Sequence, residues 1–140
     1  MLRIVLDTNV LVSAFFWDGN EAELFRKIEE KKVVLLISQE ILKELEDVLN
    51  RPKFKEIMIK SNINSNEIIQ KIISVSHLVI GNKLNISICR DEKDNKFLEC
   101  AEHAKADYIV SGDRDLLVLK QYINIKIVKT SEILKIITVI

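Results

Sequence analysis

The sequence has few of the residues that interrupt or cross-link a chain. It contains 3 Gly, 1 Pro and 2 Cys in 140 residues, and aromatic residues make up 6%. This composition excludes a disordered or loop-dominated chain, and Cys89 and Cys100 are too few for a disulfide scaffold. We therefore expect one helix-rich domain over residues 1–140, with both thiols buried and kept reduced.

The chain also lacks an excess of either charge and any long apolar run. Its 21 basic and 21 acidic residues cancel, so no overall field attracts it to nucleic acid or to an anionic membrane. No apolar run reaches the roughly 18 residues of a membrane span, and Asp7 and Asn9 interrupt the apolar part of a would-be signal peptide. We expect a cytoplasmic protein with no membrane partner, whose contacts with nucleic acid come from local patches.

Apolar runs alternate with amphipathic segments along the chain. Short buried strands are predicted at residues 2–6, 33–37, 107–111 and 126–128. Helical spacing predicts helices at residues 21–32, 38–50, 54–60, 64–75, 97–104 and 130–137. Residues 78–80 and 84–88 fit either strand or irregular structure. The alternation predicts an α/β fold with a parallel sheet covered by helices on both faces.

Carboxylates stand at the ends of two predicted strands. Asp7 ends the first apolar run, and Asp113 follows the strand at residues 107–111. Glu44 and Asp94 lie on helices that begin or border the same edge. Because ligands of open α/β sheets bind outside the carboxyl ends of the strands, all four acids can converge there. The alternative interpretation is that each acid caps a helix.

Projection onto a helical wheel does not by itself decide which of the helical acids face the predicted site. Glu44 and Glu46 both lie about 100° from the centre of the apolar stripe of their helix, so spacing leaves both open. Asp94 falls on the apolar side of its helix at the first turn, which fits either a cap or an inward-facing ligand.

Carboxylates gathered at one place raise each other's pKa unless a cation lies among them. Hard oxygen ligands without histidine or thiolate suit Mg²⁺ or Mn²⁺, and a metal held in this way can activate water for attack at phosphorus. The three scattered glycines form no phosphate-binding loop, and the two histidines complete no nucleophilic triad. Phosphodiester hydrolysis is the predicted reaction class. Trp17 and the adjacent phenylalanines are typical of core or interface rather than of base stacking.

Four ordered motifs resemble those of the PIN-domain family, in the prokaryotic branch similar to the VapC toxins of toxin-antitoxin systems. They are LDTNVL at residues 6–11, SQEILKEL at 38–45 followed by RPKF at 51–54, DEKDNKFL at 91–98 and SGDRDLL at 111–117. The resemblance covers nearly the whole chain and implies a three-layer α/β/α sandwich around a parallel sheet.

The resemblance also implies a ribonuclease site that uses Mg²⁺ or Mn²⁺. The family acids match Asp7, Glu44, Asp94 and Asp113, and an auxiliary acid matches Asp115. The motif alone selects Glu44 over Glu46, and Asp91 stays an alternative to Asp94. Supporting hydrogen bonds to the acids are expected from polar neighbours, namely Thr8, Asn9 and Ser111.

Partners are implied by the same resemblance. It implies RNA as substrate, a homodimer and, for a true toxin, a small antitoxin protein that blocks the site. Phosphate contacts are expected from basic residues near the acids, namely Arg51, Lys53, Lys55, Lys60 and Arg114. Two other functions stay open: a housekeeping RNA-processing or DNA-cleaving nuclease without antitoxin, and a non-catalytic module that binds nucleic acid or protein.

Overall fold

A computed structural model describes residues 1–82, 84, 88–89 and 91–139. The described strands are β1 (Arg3–Leu6), β2 (Val34–Ser38), β3 (Ser76–Val79), β4 (Tyr108–Val110), β5 (Gln121–Tyr122) and β6 (Ile125–Val128). The described helices are α1 (Thr8–Phe16), α2 (Asn20–Glu29), α3 (Gln39–Leu49), α4 (Pro52–Ser61), α5 (Ser65–Val75), α6 (Asn95–Ala104), α7 (Arg114–Leu117) and α8 (Thr130–Val139). A 3₁₀ turn over Glu92–Asp94 precedes α6.

The strands form one mixed sheet in the order β3-β2-β1-β4-β6-β5. All neighbouring pairs are parallel except β5 and β6, which form an antiparallel hairpin. Helices flank this sheet in a three-layer α/β/α arrangement, so the predicted fold class is confirmed. The antiparallel edge strand β5 is an addition to the parallel sheet that we predicted. It arises because a two-residue turn after Tyr122 folds the chain directly back onto β6.

The central strand β1 lies between β2 and β4, and the acids lie at the edge formed by the carboxyl ends of these strands. In register, Val5 pairs with Leu36 of β2 and with Ile109 of β4, so β4 ends level with β1 and β2 ends one residue beyond it. Val5 and Ile109 are fully buried, as expected for strands covered on both faces. The segments that follow β1 and β4 therefore begin side by side.

Most predicted elements are present with shifted ends. The helix predicted at residues 21–32 is α2, which ends at Glu29, since Lys31 has a φ of 62° and cannot continue the helix. Of the two segments left open, residues 78 and 79 belong to β3, and residues 85–87 lie outside the described residues. Cys89 and Cys100 are buried free thiols, as predicted. Among the described helices, none has the length and apolarity needed to span a membrane.

Candidate metal centre

A cavity of about 230 Å³ opens at the carboxyl ends of β1 and β4. It is lined by the four acids selected from the sequence and by their alternative Asp91, together with Thr8, Asn9 and Arg51. The acids reach it from the residue after β1, from α3, from the start of α6 and from the segment after β4. Four acids that are far apart in the sequence thus face one space.

Asp7 caps a helix and also lines the cavity. Its Oδ1 accepts a hydrogen bond from the Val10 backbone N–H at 2.8 Å, which caps α1. Its Oδ2 accepts one from the Ser111 hydroxyl, because Ser111 follows β4 and β4 pairs with β1. The side chain is buried, and burial raises the pKa of the Asp7 carboxyl above its usual value. Asp7 therefore caps α1 and also lines the cavity, so the two interpretations do not exclude each other.

Asp94 faces inward and does not cap its helix. It stands immediately before α6 and makes no side-chain capping bond, and the residue is only 8% exposed. Its buried Oδ2 has no hydrogen-bond partner in the part of the chain that the structure describes. Burial, followed by the neighbouring Asp113 carboxylate, raises the pKa of Asp94 to about 7. Of the two interpretations that the sequence left open, the cap is not found, and the role of the inward-facing Asp94 as a metal ligand stays a prediction.

Asp113 and Asp115 lie beside Asp94 at the start of α7. Oδ1 of Asp113 accepts a hydrogen bond from the Asp115 backbone N–H at 3.0 Å and caps this short helix. The backbone N–H of Asp113 donates to the Ser111 Oγ at 2.9 Å, so Ser111 contacts two of the acids. One carboxylate oxygen from each of Asp94, Asp113 and Asp115 lies within 4.8 Å of the other two. These three side chains form the carboxylate triad.

Glu44 faces the cavity from α3, whereas Glu46 is exposed on the same helix. The Thr8 hydroxyl donates a hydrogen bond to Oε2 of Glu44, and the Lys96 ammonium lies 2.8 Å from Oε1. The structure therefore places the residue chosen by the motif at the cavity and its competitor outside it.

Sequence reasoning assigned no role to Lys96, which contacts Glu44, or to Lys93, which lines the cavity. Lys96 lies in the motif at residues 91–98, but only the packing of α6 against α3 brings its side chain to Glu44. Spacing along one helix cannot predict which element lies opposite. The two remaining polar candidates are at the cavity rim: Asn9 is exposed, and Asp91 caps the 3₁₀ turn by accepting from the Lys93 N–H at 3.0 Å.

The predicted phosphate-binding residues are distributed around the cavity. Arg51 lines it, and Lys53 and Lys55 are exposed nearby at the start of α4. The Lys53 ammonium lies 5.9 Å from the centre of the Trp17 ring, which is half exposed. Arg114 borders a second groove with Asp115, whereas Lys60 is paired with Glu56 of its own helix at 3.3 Å. Lys60 is thus the weakest of the five candidates.

The donor set fits a hard divalent cation. The triad offers carboxylate oxygens alone, which is the chemistry that Mg²⁺ and Mn²⁺ prefer, and no described imidazole or thiolate joins it. The Oδ2 of Asp94 is buried and has no hydrogen-bond partner within the described ranges, which is a costly feature for a protein unless a cation or a proton compensates it. The residues present therefore suit a divalent metal ion.

Comparison with known proteins agrees with this geometry. A profile of the PIN domain matches residues 3–115, from β1 to the last acid of the triad. The chain belongs to the PIN-domain family. PIN domains are generally nucleases that typically use divalent metal ions and act on nucleic acid. Membership of this family therefore supports the assignment of the chain as a hydrolase.

One relative of this PIN domain comes from Methanocaldococcus jannaschii and bears the name "Uncharacterized protein MJ1680". It is 34% identical over 122 residues, which cover 85% of this chain and 76% of the relative. The similarity is consistent with membership of the PIN-domain family, and the name of the relative states no activity. The prediction of a PIN domain from the four motifs is confirmed.

Proposed function

We propose that this PIN domain is an endoribonuclease that depends on Mg²⁺ or Mn²⁺ and hydrolyses RNA phosphodiester bonds. The observation that carries the proposal is the carboxylate triad beside a cavity lined by Arg51, with a buried Asp94 oxygen that has no hydrogen-bond partner among the described residues. A cation site beside exposed basic residues is an arrangement that holds a phosphate ester.

The chain's own residues have distinct tasks in this proposal. Asp94, Asp113 and Asp115 hold the divalent ion, and Asp7 and Glu44 complete the negative cavity. Ser111 orients Asp7 and Asp113, and Thr8 orients Glu44, while Asn9 is placed at the rim to contact substrate. When bound, the ion supplies Lewis-acid stabilisation of the phosphate and lowers the pKa of a coordinated water.

Arg51, Lys53, Lys55 and Arg114 are proposed to bind the phosphates of the RNA on both sides of the cleaved bond. Their positions along α4 and at the start of α7 flank the cavity. We further propose that the chain acts in the cytoplasm as a homodimeric toxin whose antitoxin covers this cavity, and the similarity of its four motifs to the VapC branch supports this.

The test compares metal binding and RNA cleavage in three proteins. Mn²⁺ binding is measured by calorimetry, and a mixed pool of single-stranded RNA is then incubated with each protein. Wild type is expected to bind Mn²⁺ and to cut RNA. Asp94→Asn is expected to lose both, because it removes the charge of the most buried triad member; a loss of about 100-fold or more in cleavage rate is expected.

Glu46→Gln is the control, because it removes one carboxylate charge from an exposed position on α3 that lies outside the cavity. It should bind and cut as wild type does. RNA binding that survives EDTA without any product would contradict the nuclease and favour the non-catalytic module. Cleavage of DNA in preference to RNA would favour the housekeeping nuclease instead.

A further inference from the structure

Trp17 is a large aromatic side chain that the fold leaves in contact with solvent. The residue is 50% exposed, so of the two positions expected for it, core or interface, the core is wrong. The Phe16 and Phe54 rings are stacked with their centres 5.5 Å apart and pack against the core. The Trp17 ring meets the Phe16 ring edge-on at a centre-to-centre distance of 6.1 Å. These three rings form the aromatic platform, and Trp17 is its exposed part.

Positive charge lies directly against the aromatic platform. The Lys53 ammonium is 5.9 Å from the centre of the Trp17 ring and 5.4 Å from the centre of the Phe54 ring. Lys55 is exposed one turn into the same helix, α4. Proteins that bind single-stranded nucleic acid combine these two features, since cations bind the phosphates and an aromatic ring stacks on a base.

Two segments connect the aromatic platform to the cavity. Arg51 lines the cavity and immediately precedes α4, whose second residue is Lys53. Asn9 lines the cavity near the start of α1, and Trp17 follows it by eight residues, which is about 12 Å at the helical rise of about 1.5 Å per residue. An RNA strand with one phosphate in the cavity therefore reaches the aromatic platform within a few nucleotides.

We propose that the aromatic platform stacks on one unpaired base of the RNA substrate, a few nucleotides from the bond that is cut, while Lys53 binds an adjacent phosphate. This inference rests on the proposed function, since it takes the cavity as the place of cleavage. Both faces of a base inside a duplex are covered by its neighbours, so the platform requires single-stranded RNA. Every base has a π-face, and stacking therefore selects the single strand without reading its sequence.

A second copy of this chain is a poorer occupant of the same surface. A two-fold contact is self-complementary, so it would bring Lys53 and Lys55 of both copies together around the two Trp17 rings. Like charges that face each other across an interface disfavour association. RNA instead brings negative charge to these residues.

The test measures the affinity for a dye-labelled single-stranded oligoadenylate by fluorescence anisotropy. All proteins carry Asp94→Asn, so that the RNA is not cut. Trp17→Leu removes the ring but keeps an apolar side chain, and it is expected to weaken binding by about 10-fold. Trp17→Tyr keeps an aromatic ring and should retain most of the affinity. Ile59→Ala is the matched control, because it removes an 80% exposed apolar side chain from α4, and it should bind as the parent protein does.

A second probe separates stacking from phosphate contacts. It is a sugar-phosphate chain of the same length and charge without bases, and the parent protein and Trp17→Leu should bind it equally well. Equal affinity of these two proteins for the oligoadenylate, or an equal loss on both probes, would overturn the proposed stacking. A parent dimer that dissociates in Trp17→Leu, measured by sedimentation, would overturn it too, because Trp17 would then contact the second copy. Thermal melting verifies that each variant is folded.

Cleavage of the oligoadenylate by wild type with Mn²⁺ distinguishes this inference from the proposed function. Cleavage, together with RNA binding that does not depend on Trp17, would overturn the role of the platform and leave the nuclease intact. Binding that depends on Trp17 and on the bases, without any cleavage by wild type, would support the platform and contradict the nuclease.

Discussion

The Asp94 carboxyl links the stability of the metal-free protein to pH. Its pKa in the fold is about 7, against an ordinary value of 3.8, so the folded state keeps this proton when the unfolded state has lost it. Between these two pH values the unfolded state binds fewer protons, and raising the pH therefore favours unfolding. The free energy of unfolding is expected to fall by roughly 2–4 kcal/mol from about pH 4 to pH 7.

Urea denaturation in EDTA at several pH values measures this effect. Asp94→Asn cannot ionise at this position, so its stability should change less over the same interval and should exceed that of wild type above pH 7. Mn²⁺ should stabilise wild type most above pH 7, where Asp94 is ionised, and should do little for the variant. Equal pH profiles for the two metal-free proteins would contradict the assignment of the raised pKa to Asp94.

Individual residues also show what a sequence can and cannot predict about this site. Asp7 and Asp113 could be found because each follows a strand, and the carboxyl ends of parallel strands lie at one edge. The choice between Glu44 and Glu46 depended on the motif, since both lie at the border of the apolar stripe. The contact of Lys96 with Glu44 depends on how α6 packs against α3, which no local pattern encodes.

Among the elements, the β5–β6 hairpin contains a strained residue. Ile123 has a φ of 57° in the two-residue turn that joins Tyr122 to Ile125. A β-branched residue is rare in this left-handed region, which glycine adopts at little cost. Ile123 is 57% exposed, so little burial is lost when its side chain is removed. Ile123→Gly is therefore expected to stabilise the protein by about 0.5–1 kcal/mol.

Thermal or urea denaturation of two single variants checks this prediction. Asn124→Gly is the control, because Asn124 shares the turn but does not have a positive φ. It should be neutral or destabilising, since glycine there only increases the entropy of the unfolded chain. A gain in stability from Asn124→Gly equal to that from Ile123→Gly would argue against strain at Ile123.

The strength of the local pattern decided which elements could be predicted. Residues 33–37 form a continuous apolar run, and β2 is found there with a shift of one residue. Strand β5 has only two residues, Gln121 and Tyr122, and neither its length nor its composition sets it apart from a loop. Strand β3 carries exposed His77 and Leu78 at the sheet edge, so it lacks the alternation that marks a half-buried strand.

At the scale of the whole molecule, a net charge of zero conceals a local separation of charge. The acids converge in the cavity, whereas Arg51, Lys53 and Lys55 are exposed beside it at the start of α4. Such a surface binds a polyanion through a few contacts rather than through the overall field. The single Trp17, next to Lys53, offers a fluorescence signal for that binding without a label.

The salt dependence of RNA binding therefore measures how many phosphate contacts these basic residues make. Binding is followed by Trp17 fluorescence in the Asp94→Asn background, so that the RNA is not consumed. If Arg51, Lys53, Lys55 and Arg114 each contact a phosphate, the logarithm of the association constant should fall with the logarithm of salt concentration with a slope of about −3. Lys53→Gln should weaken binding and bring the slope to about −2.

Lys126→Gln is the control for Lys53→Gln. It also removes one positive charge, but from an exposed position at the opposite edge of the sheet, where β6 begins and a separate groove opens. Affinity and slope should both stay as they are in the parent protein, because Lys126 lies away from the acids. If Lys53→Gln and Lys126→Gln changed the slope equally, RNA would be responding to net charge alone. The basic residues beside the cavity would then lose their proposed role, and the path of the RNA over this surface would have to be sought elsewhere.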